Sequence, residues 1–271
     1  MRYNMGKIIA GINEKGGVAK TTTIKNLSVG LARRGKKVLT IDLDPSAMLT
    51  KSLGLFDNSA TDTIVEIIQK TIECEDIEPG FGIRKHDEGI NVIISKPKLH
   101  VCEDLLTSAF QREIVLRRFL ETLQDKYDYI FVDCPAGIGI LSTNVLFCAD
   151  GLIIPLEPNY ADVEALSNLF PVIGKVRKLQ HSLRKPDILG VLFTKVRDIT
   201  RNHQDNMKNC RDTYNNENIH IFDTTIPLST RIPESDTKQM SIYHYADIKS
   251  EAKKDVAIFE RLIDEILKRE D

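Results

Sequence analysis

No apolar run in the 271 residues approaches the roughly 18 to 20 residues that a membrane-spanning helix needs. The opening Met1-Arg2-Tyr3-Asn4-Met5-Gly6 leads into an apolar stretch too short for the h-region of a signal peptide, so the sequence predicts a cytoplasmic protein. Cysteine is sparse and odd in number: Cys74, Cys102, Cys134, Cys148 and Cys210, with no C-x-x-C spacing. That argues against a disulfide framework or a zinc site and for reduced thiols. An excess of one charge is lacking as well. The 37 Lys and Arg nearly balance 39 Asp and Glu, for a net charge of −2, so any pull toward nucleic acid or anionic lipid has to come from a local patch. There is no repeat, no low-complexity tract and no linker long enough to split the chain, and residues 1–271 read as one domain.

What is present is an ordinary globular composition, 42% hydrophobic and 28% charged, able to bury a full core. Six runs read as strands: Lys7 to Ile12, Lys37 to Ile41, Ile90 to Ser95, Tyr129 to Cys134, Leu152 to Leu156 and Ile188 to Thr194. Most are unbroken Val/Ile/Leu segments, as strands covered on both faces require. Helical periodicity lies between them, as in Ile24, Leu27, Ser28, Leu31 and Ala32, with Gly35 as a C-terminal cap. The alternation predicts an α/β fold, a doubly wound and mostly parallel sheet with helices on both faces. The segment Asp57 to Gly89, with one short amphipathic run from Thr63 to Ile72, reads as an excursion from that pattern.

The segment Gly11 to Lys20 follows a buried strand and precedes a helix, the context of a phosphate-binding loop. There, backbone N–H groups and the positive end of the following helix cradle phosphates, Lys20 neutralises charge and Thr21 would ligate Mg2+. The general pattern G-x-x-x-x-G-K-[ST] fails at both glycines, where Glu14 and Ala19 stand. Ala19 costs on the order of 1 kcal/mol if its φ is positive and little if it is negative. What remains is Lys15-Gly16-Gly17-Val18-Ala19-Lys20-Thr21-Thr22, with a second lysine at the start of the loop. This segment resembles the deviant Walker A ATPases, the group of ParA, MinD and the nitrogenase iron protein. The resemblance implies that Gly16 to Thr22 bind ATP, and that Lys15 crosses a dimer interface to the partner's nucleotide in an ATP-dependent homodimer.

Carboxylates complete the expected site. In Ile41-Asp42-Leu43-Asp44-Pro45, strand alternation puts both aspartates on one side at the C-terminal edge of a strand, where such sheets bind ligands. The resemblance to the D-x-D-P segment of ParA proteins implies that Asp44 orients the attacking water and that Asp42 supports the Mg2+ shell. Asp133 closes the apolar run Tyr129-Ile130-Phe131-Val132 and reads as the Walker B residue holding Mg2+ through water. Ala136-Gly137 follows as the switch, with Ala136 where the family more often has proline. Late in the chain, Ile226 to Ser235 resembles the adenine-wrapping segment of ParA proteins, which assigns Pro227, Pro233 and Glu234 to the base; Thr194-Lys195, at the end of the run from Ile188, is a weaker candidate for a base contact.

The resemblance spans nearly the whole chain and identifies it as a Soj-like member of the ParA family, with too few residues before the first strand for a helix-turn-helix domain. It implies a weak ATPase for plasmid, chromosome or mobile-element partition, nucleoid-associated and stimulated by a ParB-like centromere-binding protein. Arg201, Arg231, Lys249, Lys253 and Lys254 are the candidates for contacting DNA without sequence preference. The alternative is a MinD-like membrane-associated or cargo-positioning ATPase. The apolar stripe of Val256, Phe259, Leu262, Ile263, Ile266 and Leu267 is opposed by a face of mixed charge, which predicts packing on the sheet and no membrane contact. A redox role would bridge a cluster between subunits through Cys102 and Cys134; packing is the expected reason for Cys134.

Overall fold

The computed structural model describes residues 5–180, 185–197, 200–215 and 219–270. Its strands are β1 (Lys7–Gly11), β2 (Val38–Asp42), β3 (Ile83–Lys85), β4 (Asn91–Ile93), β5 (Tyr129–Asp133), β6 (Gly151–Leu156) and β7 (Asp187–Phe193). The first helices are α1 (Lys20–Arg33), α2 (Met48–Ser52), α3 (Ile64–Ile72), α4 (Leu99–Ser108) and α5 (Val115–Leu120). They are followed by α6 (Ile140–Cys148), α7 (Tyr160–Leu179), α8 (Arg201–Asn215), α9 (Arg231–Thr237), α10 (Ile242–Ile248) and α11 (Lys253–Glu270).

The strands form one sheet of order β3-β4-β2-β5-β1-β6-β7. All neighbours are parallel except β3 and β4. The six apolar runs become the six parallel strands. The antiparallel edge strand β3 arises from the stretch between Asp57 and Gly89, which also supplies α3, opened by a capping box in which Thr63 and Glu66 satisfy each other's backbone. Successive residues of each apolar run serve opposite faces: in β5, Ile130 and Val132 join one core and Tyr129 and Phe131 the other. The first core lies under α3 to α8, the second under α1, α2 and α9 to α11.

Helix α1 is buried over most of its circumference. Ile24, Leu27 and Leu31 face the second core, as the periodicity predicts. The other side, which reads as a polar surface, is covered by α10 and α11. Its polar groups are met individually: Asn26 Oδ1 accepts from Ile242 N at 2.9 Å, and Arg34 is held by Glu260 and Asp264. Gly35, at φ +80°, ends α1, with Gly35 N donating to Ala32 O and Lys36 N to Leu31 O. The apolar stripe of α11 is spent in the same core, where Phe259, Leu262, Ile263 and Ile266 are all at most 3% exposed. No helix among the described residues is long and apolar enough to cross a membrane.

The contact between α1 and these C-terminal helices leaves no room for a side chain at Gly30, where a Cβ would meet Tyr243 Oη and, at 2.5 Å, Ile263 Cδ1. The Gly30→Val variant is therefore expected to lose about 1–3 kcal/mol through overpacking, read from the midpoint of urea unfolding. An unchanged midpoint would show that α10 and α11 are not seated tightly on α1.

Candidate functional site

Parallel register brings the ends of three strands into one row: Gly11 pairs with Asp133, and Asp133 with Asp42. The loop from β1 to α1 starts beside this row and is pinned from three sides. Asn13 Nδ2 donates to Pro155 O at 2.7 Å at the end of β6, and Asn13 Oδ1 accepts from Lys15 N at 2.9 Å. Gly137 N donates to Glu14 O at 2.8 Å, so the expected switch segment rests directly on the loop. Thr194 Oγ1, just past β7, donates to Val18 O at 3.1 Å, and Val18 itself is buried.

Two residues of the loop are left-handed, Gly17 at φ +76° and Ala19 at φ +66°. At Gly17 the conformation is free; at Ala19 the methyl group carries a cost of about 1 kcal/mol. Ala19 is the N-cap of α1, and its carbonyl accepts from both Thr23 N at 3.0 Å and Thr23 Oγ1 at 2.8 Å. The N–H groups of the first helical turn are left without intrahelical partners, which suits this end of α1 to an anion.

A pocket of about 350 Å3 opens over this helix end. Its walls include Gly16, Gly17, Ala19, Lys20, Thr21 and Thr22 from the loop, Asp44 after β2 and Ala136 after β5. The structure thus gathers most of the expected phosphate contacts in one place. Lys195 also lines the pocket, as does Asp236 of α9, which sequence reasoning passed over. Pro227, Pro233 and Glu234 are not among the lining residues; Glu234 instead accepts from Tyr245 Oη at 2.5 Å, fastening α9 to α10. The local pattern of a helix that late in the chain does not say which of its residues meets a pocket built around α1.

Beneath the pocket the carboxylates divide the work. Asp133 is fully buried; its Oδ2 accepts from Thr21 Oγ1 at 2.7 Å, while its Oδ1 has no hydrogen-bond partner among the described residues. Burial, then the neighbouring Asp42, pushes its carboxyl well above the usual range. Asp42 is also fully buried, and burial raises it to about 6. Both of its oxygens are occupied: Oδ2 accepts from Thr50 N and Oγ1 at 2.8 and 2.7 Å, and Oδ1 from Asp44 N at 3.1 Å. Asp42 therefore anchors the loop that carries Asp44, whose own Oδ1 accepts from Ser46 N at 2.7 Å.

The orphaned Oδ1 of Asp133, next to the Thr21 hydroxyl, is a fit for Mg2+: a buried carboxylate with a spare lone pair is completed by a cation or its bound water. Lys20 supplies the monovalent charge. Its ammonium donates to Lys15 O at 2.8 Å and Asn13 O at 3.2 Å, and burial lowers its pKa against the opposing pull of Asp133, Cys134 and Asp44.

Lys15 does not line this pocket. Its ammonium pairs with Asp162 in the first turn of α7, a partner that no sequence signal announced. Cys102 and Cys134 are at most 1% exposed and belong to the first core. Of the basic candidates, Arg201, Lys249, Lys253 and Lys254 are exposed and Arg231 is paired with Asp255. Lys249 caps the end of α10 and Lys253 and Lys254 open α11, whereas Arg201 opens α8 on the opposite face of the sheet.

Comparison with known proteins agrees with this geometry. The AAA domain family AAA_31 matches residues 6–185. The sporulation initiation inhibitor protein Soj of Bacillus subtilis is 33% identical over 241 residues, 89% of this chain and 92% of that protein. The chromosome partitioning protein ParA of Myxococcus xanthus is 32% identical over 247 residues, 91% and 83% of the two chains. Among solved structures, Mycobacterium smegmatis cobyrinic acid a,c-diamide synthase with bound ATP analogue and magnesium superposes with a TM-score of 0.75 at 28% identity, covering 86% of this chain and 93% of that one.

The strain at Ala19 is directly measurable. Ala19→Gly is expected to raise stability by about 1 kcal/mol in urea unfolding, since glycine adopts the left-handed conformation without the Cβ penalty. A variant no more stable than the parent would mean that the greater freedom of glycine in the unfolded chain offsets the relief of strain.

Proposed function

The chain belongs to the AAA_31 family and, within it, to the ParA/Soj group of P-loop ATPases, and from that premise we propose that it is an ATP-dependent, dimerising DNA-partition ATPase. In this reading residues 1–271 form one ATPase domain, cytoplasmic and nucleoid-associated. The ATP-bound homodimer holds DNA without sequence preference, and a ParB-like centromere-binding protein stimulates hydrolysis and release.

The observation that carries the proposal is the division of labour between two lysines. Lys20 lies under the pocket of its own subunit, bonded to the loop's own carbonyls. Lys15 stands outside that pocket with its side chain 36% exposed, held by a carboxylate it can exchange for a phosphate of another subunit. A single-subunit ATPase has no use for the second lysine. A homodimer that closes over two nucleotides does.

Each remaining group has a task that phosphoryl transfer requires, mostly positioning and charge stabilisation. The N–H groups of Gly16 to Thr22 and the start of α1 hold the phosphates, and Lys20 offsets their charge as water leaves. Thr21 and Asp133 hold Mg2+, which when bound shields the phosphate oxygens. Asp44, on the loop fixed by Asp42, orients the attacking water. Lys249, Lys253 and Lys254 supply the patch for DNA, with Arg201 a separate contact on the far face. The burial of the α11 stripe favours this reading over a membrane-bound one, because that helix has no free apolar face to give to lipid.

Variants separate the roles. Lys20→Ala is expected to abolish ATP binding in calorimetry. Lys15→Gln is expected to retain ATP but remain monomeric by light scattering. Asp44→Ala should bind ATP and dimerise, yet turn over at least ~100-fold more slowly, since positioning the nucleophile is most of its contribution; turnover at the parental rate would remove Asp44 from the mechanism. Binding of duplex DNA should require ATP and weaken steeply with salt, and Lys253→Ala should reduce the slope of log affinity against log salt by about 1.

A further inference from the structure

Helix α1 carries a feature that the phosphate chemistry does not use. Lys25 is fully buried, with a side-chain exposure of 0%. Its ammonium donates to a carboxylate oxygen of Asp236 and, at 2.9 Å, to Met240 O. Burying a lysine in this way is costly, and it is sustained by an opposite charge and good hydrogen bonds. The pair joins α1 to α9, two elements more than 200 residues apart, and it does so at the edge of the nucleotide pocket, whose wall includes Asp236.

The position of Asp236 decides what it can touch. Lys25 lies one turn of α1 beyond Thr21 and Thr22, roughly 5 Å further from the phosphate loop along the helix axis. A carboxylate repels phosphate, so this end of the pocket suits an uncharged part of a nucleotide. Lys25 occupies Oδ1 of Asp236, and the side chain is 35% exposed towards the open space. An ionised carboxylate only accepts hydrogen bonds. The sugar of a nucleotide, next to its phosphates, offers two adjacent hydroxyl donors.

We propose that Asp236 reads the ribose, accepting hydrogen bonds from its 2′- and 3′-hydroxyls, and that Lys25 is the positioning residue that holds it there. The inference rests on the ATP reading above and names a residue that reading leaves out. The arrangement is preorganised. The phosphate cradle and the Lys25 anchor are on one helix, and the α9–α10 segment is clamped further by Ile242 N donating to Asn26 Oδ1 and by Ser241 donating to Glu88. Asp236 is therefore tied to the same helix that carries Thr21 and Thr22.

The test compares calorimetric affinities of the full chain for ATP, 2′-deoxyATP, 3′-deoxyATP and GTP. The parent is expected to bind at least one deoxy analogue about tenfold or more weakly than ATP, the worth of a hydrogen bond to a charged acceptor. Asp236→Ala should erase that gap. Because this change leaves a buried ammonium unpaired and can unfold the protein, the Lys25→Met/Asp236→Ala double variant is measured beside it, removing both charges at once. In the folded double variant ATP should fall to the affinity of the deoxy analogue, within about twofold, while ATP retains its requirement for Lys20. A parent that does not distinguish deoxy sugars, or a folded double variant that still does, overturns the proposal. A changed preference between ATP and GTP with the deoxy gap intact overturns it too, by assigning Asp236 to the base. Failure of the parent to bind ATP at all removes the ATPase reading, and this one with it.

Discussion

Two aspartates, Asp42 and Asp133, end adjacent parallel strands in register and are both fully buried. Burial pushes both toward the neutral form, and Asp42 pushes Asp133 further the same way. Much of the surrounding structure answers that constraint. Thr50 gives Asp42 two hydrogen bonds and Asp44 N a third, which fixes the loop after β2. Thr21 gives Asp133 one, which fixes the start of α1. Lys20 brings a positive charge nearby at the cost of its own burial. Among the described residues, Asp133 Oδ1 is the oxygen of the two carboxylates left without a hydrogen-bond partner, so the unmet demand of the pair is concentrated on one atom, where a cation would add most.

The parts of the molecule legible in the sequence are those whose chemistry is local. An unbroken run such as Tyr129-Ile130-Phe131-Val132 can satisfy two cores at once only as a strand, and a glycine-rich loop between such a run and a helix has few other uses. The edge strand β3 is different. Ile83-Arg84-Lys85 is short and partly exposed, and its conformation is decided by antiparallel pairing with β4. Lys25 was illegible for a related reason: on α1 it sits on what reads as the polar face, and only the return of α9 to α11 two hundred residues later turns that face inward. The same distance explains why the resemblance points to Pro227, Pro233 and Glu234, whereas it is Asp236, just past them, that lines the pocket.

Ala19 sharpens the relation between sequence and conformation. The loop keeps its shape although the residue at the left-handed position is not the one that prefers it. Two hydrogen bonds from Thr23, and the anchoring of the loop by Asn13, Gly137 and Thr194, over-determine the backbone there. A motif defined by residue types misses this loop, while one defined by where the chain must turn and what holds it finds it.

The resting place of Lys15 has a consequence for how freely that lysine can leave. Asp162 sits in the first turn of α7, where the aligned peptide dipoles already favour negative charge. Asp162 N, in turn, is held by the side chain of Asn159. The carboxylate thus projects from a helix end whose dipoles favour a negative charge there with or without the ammonium. Departure of Lys15 leaves a carboxylate that is 6% exposed without its ion pair, a cost that the helix end reduces, so the berth favours release when another anion takes up the ammonium.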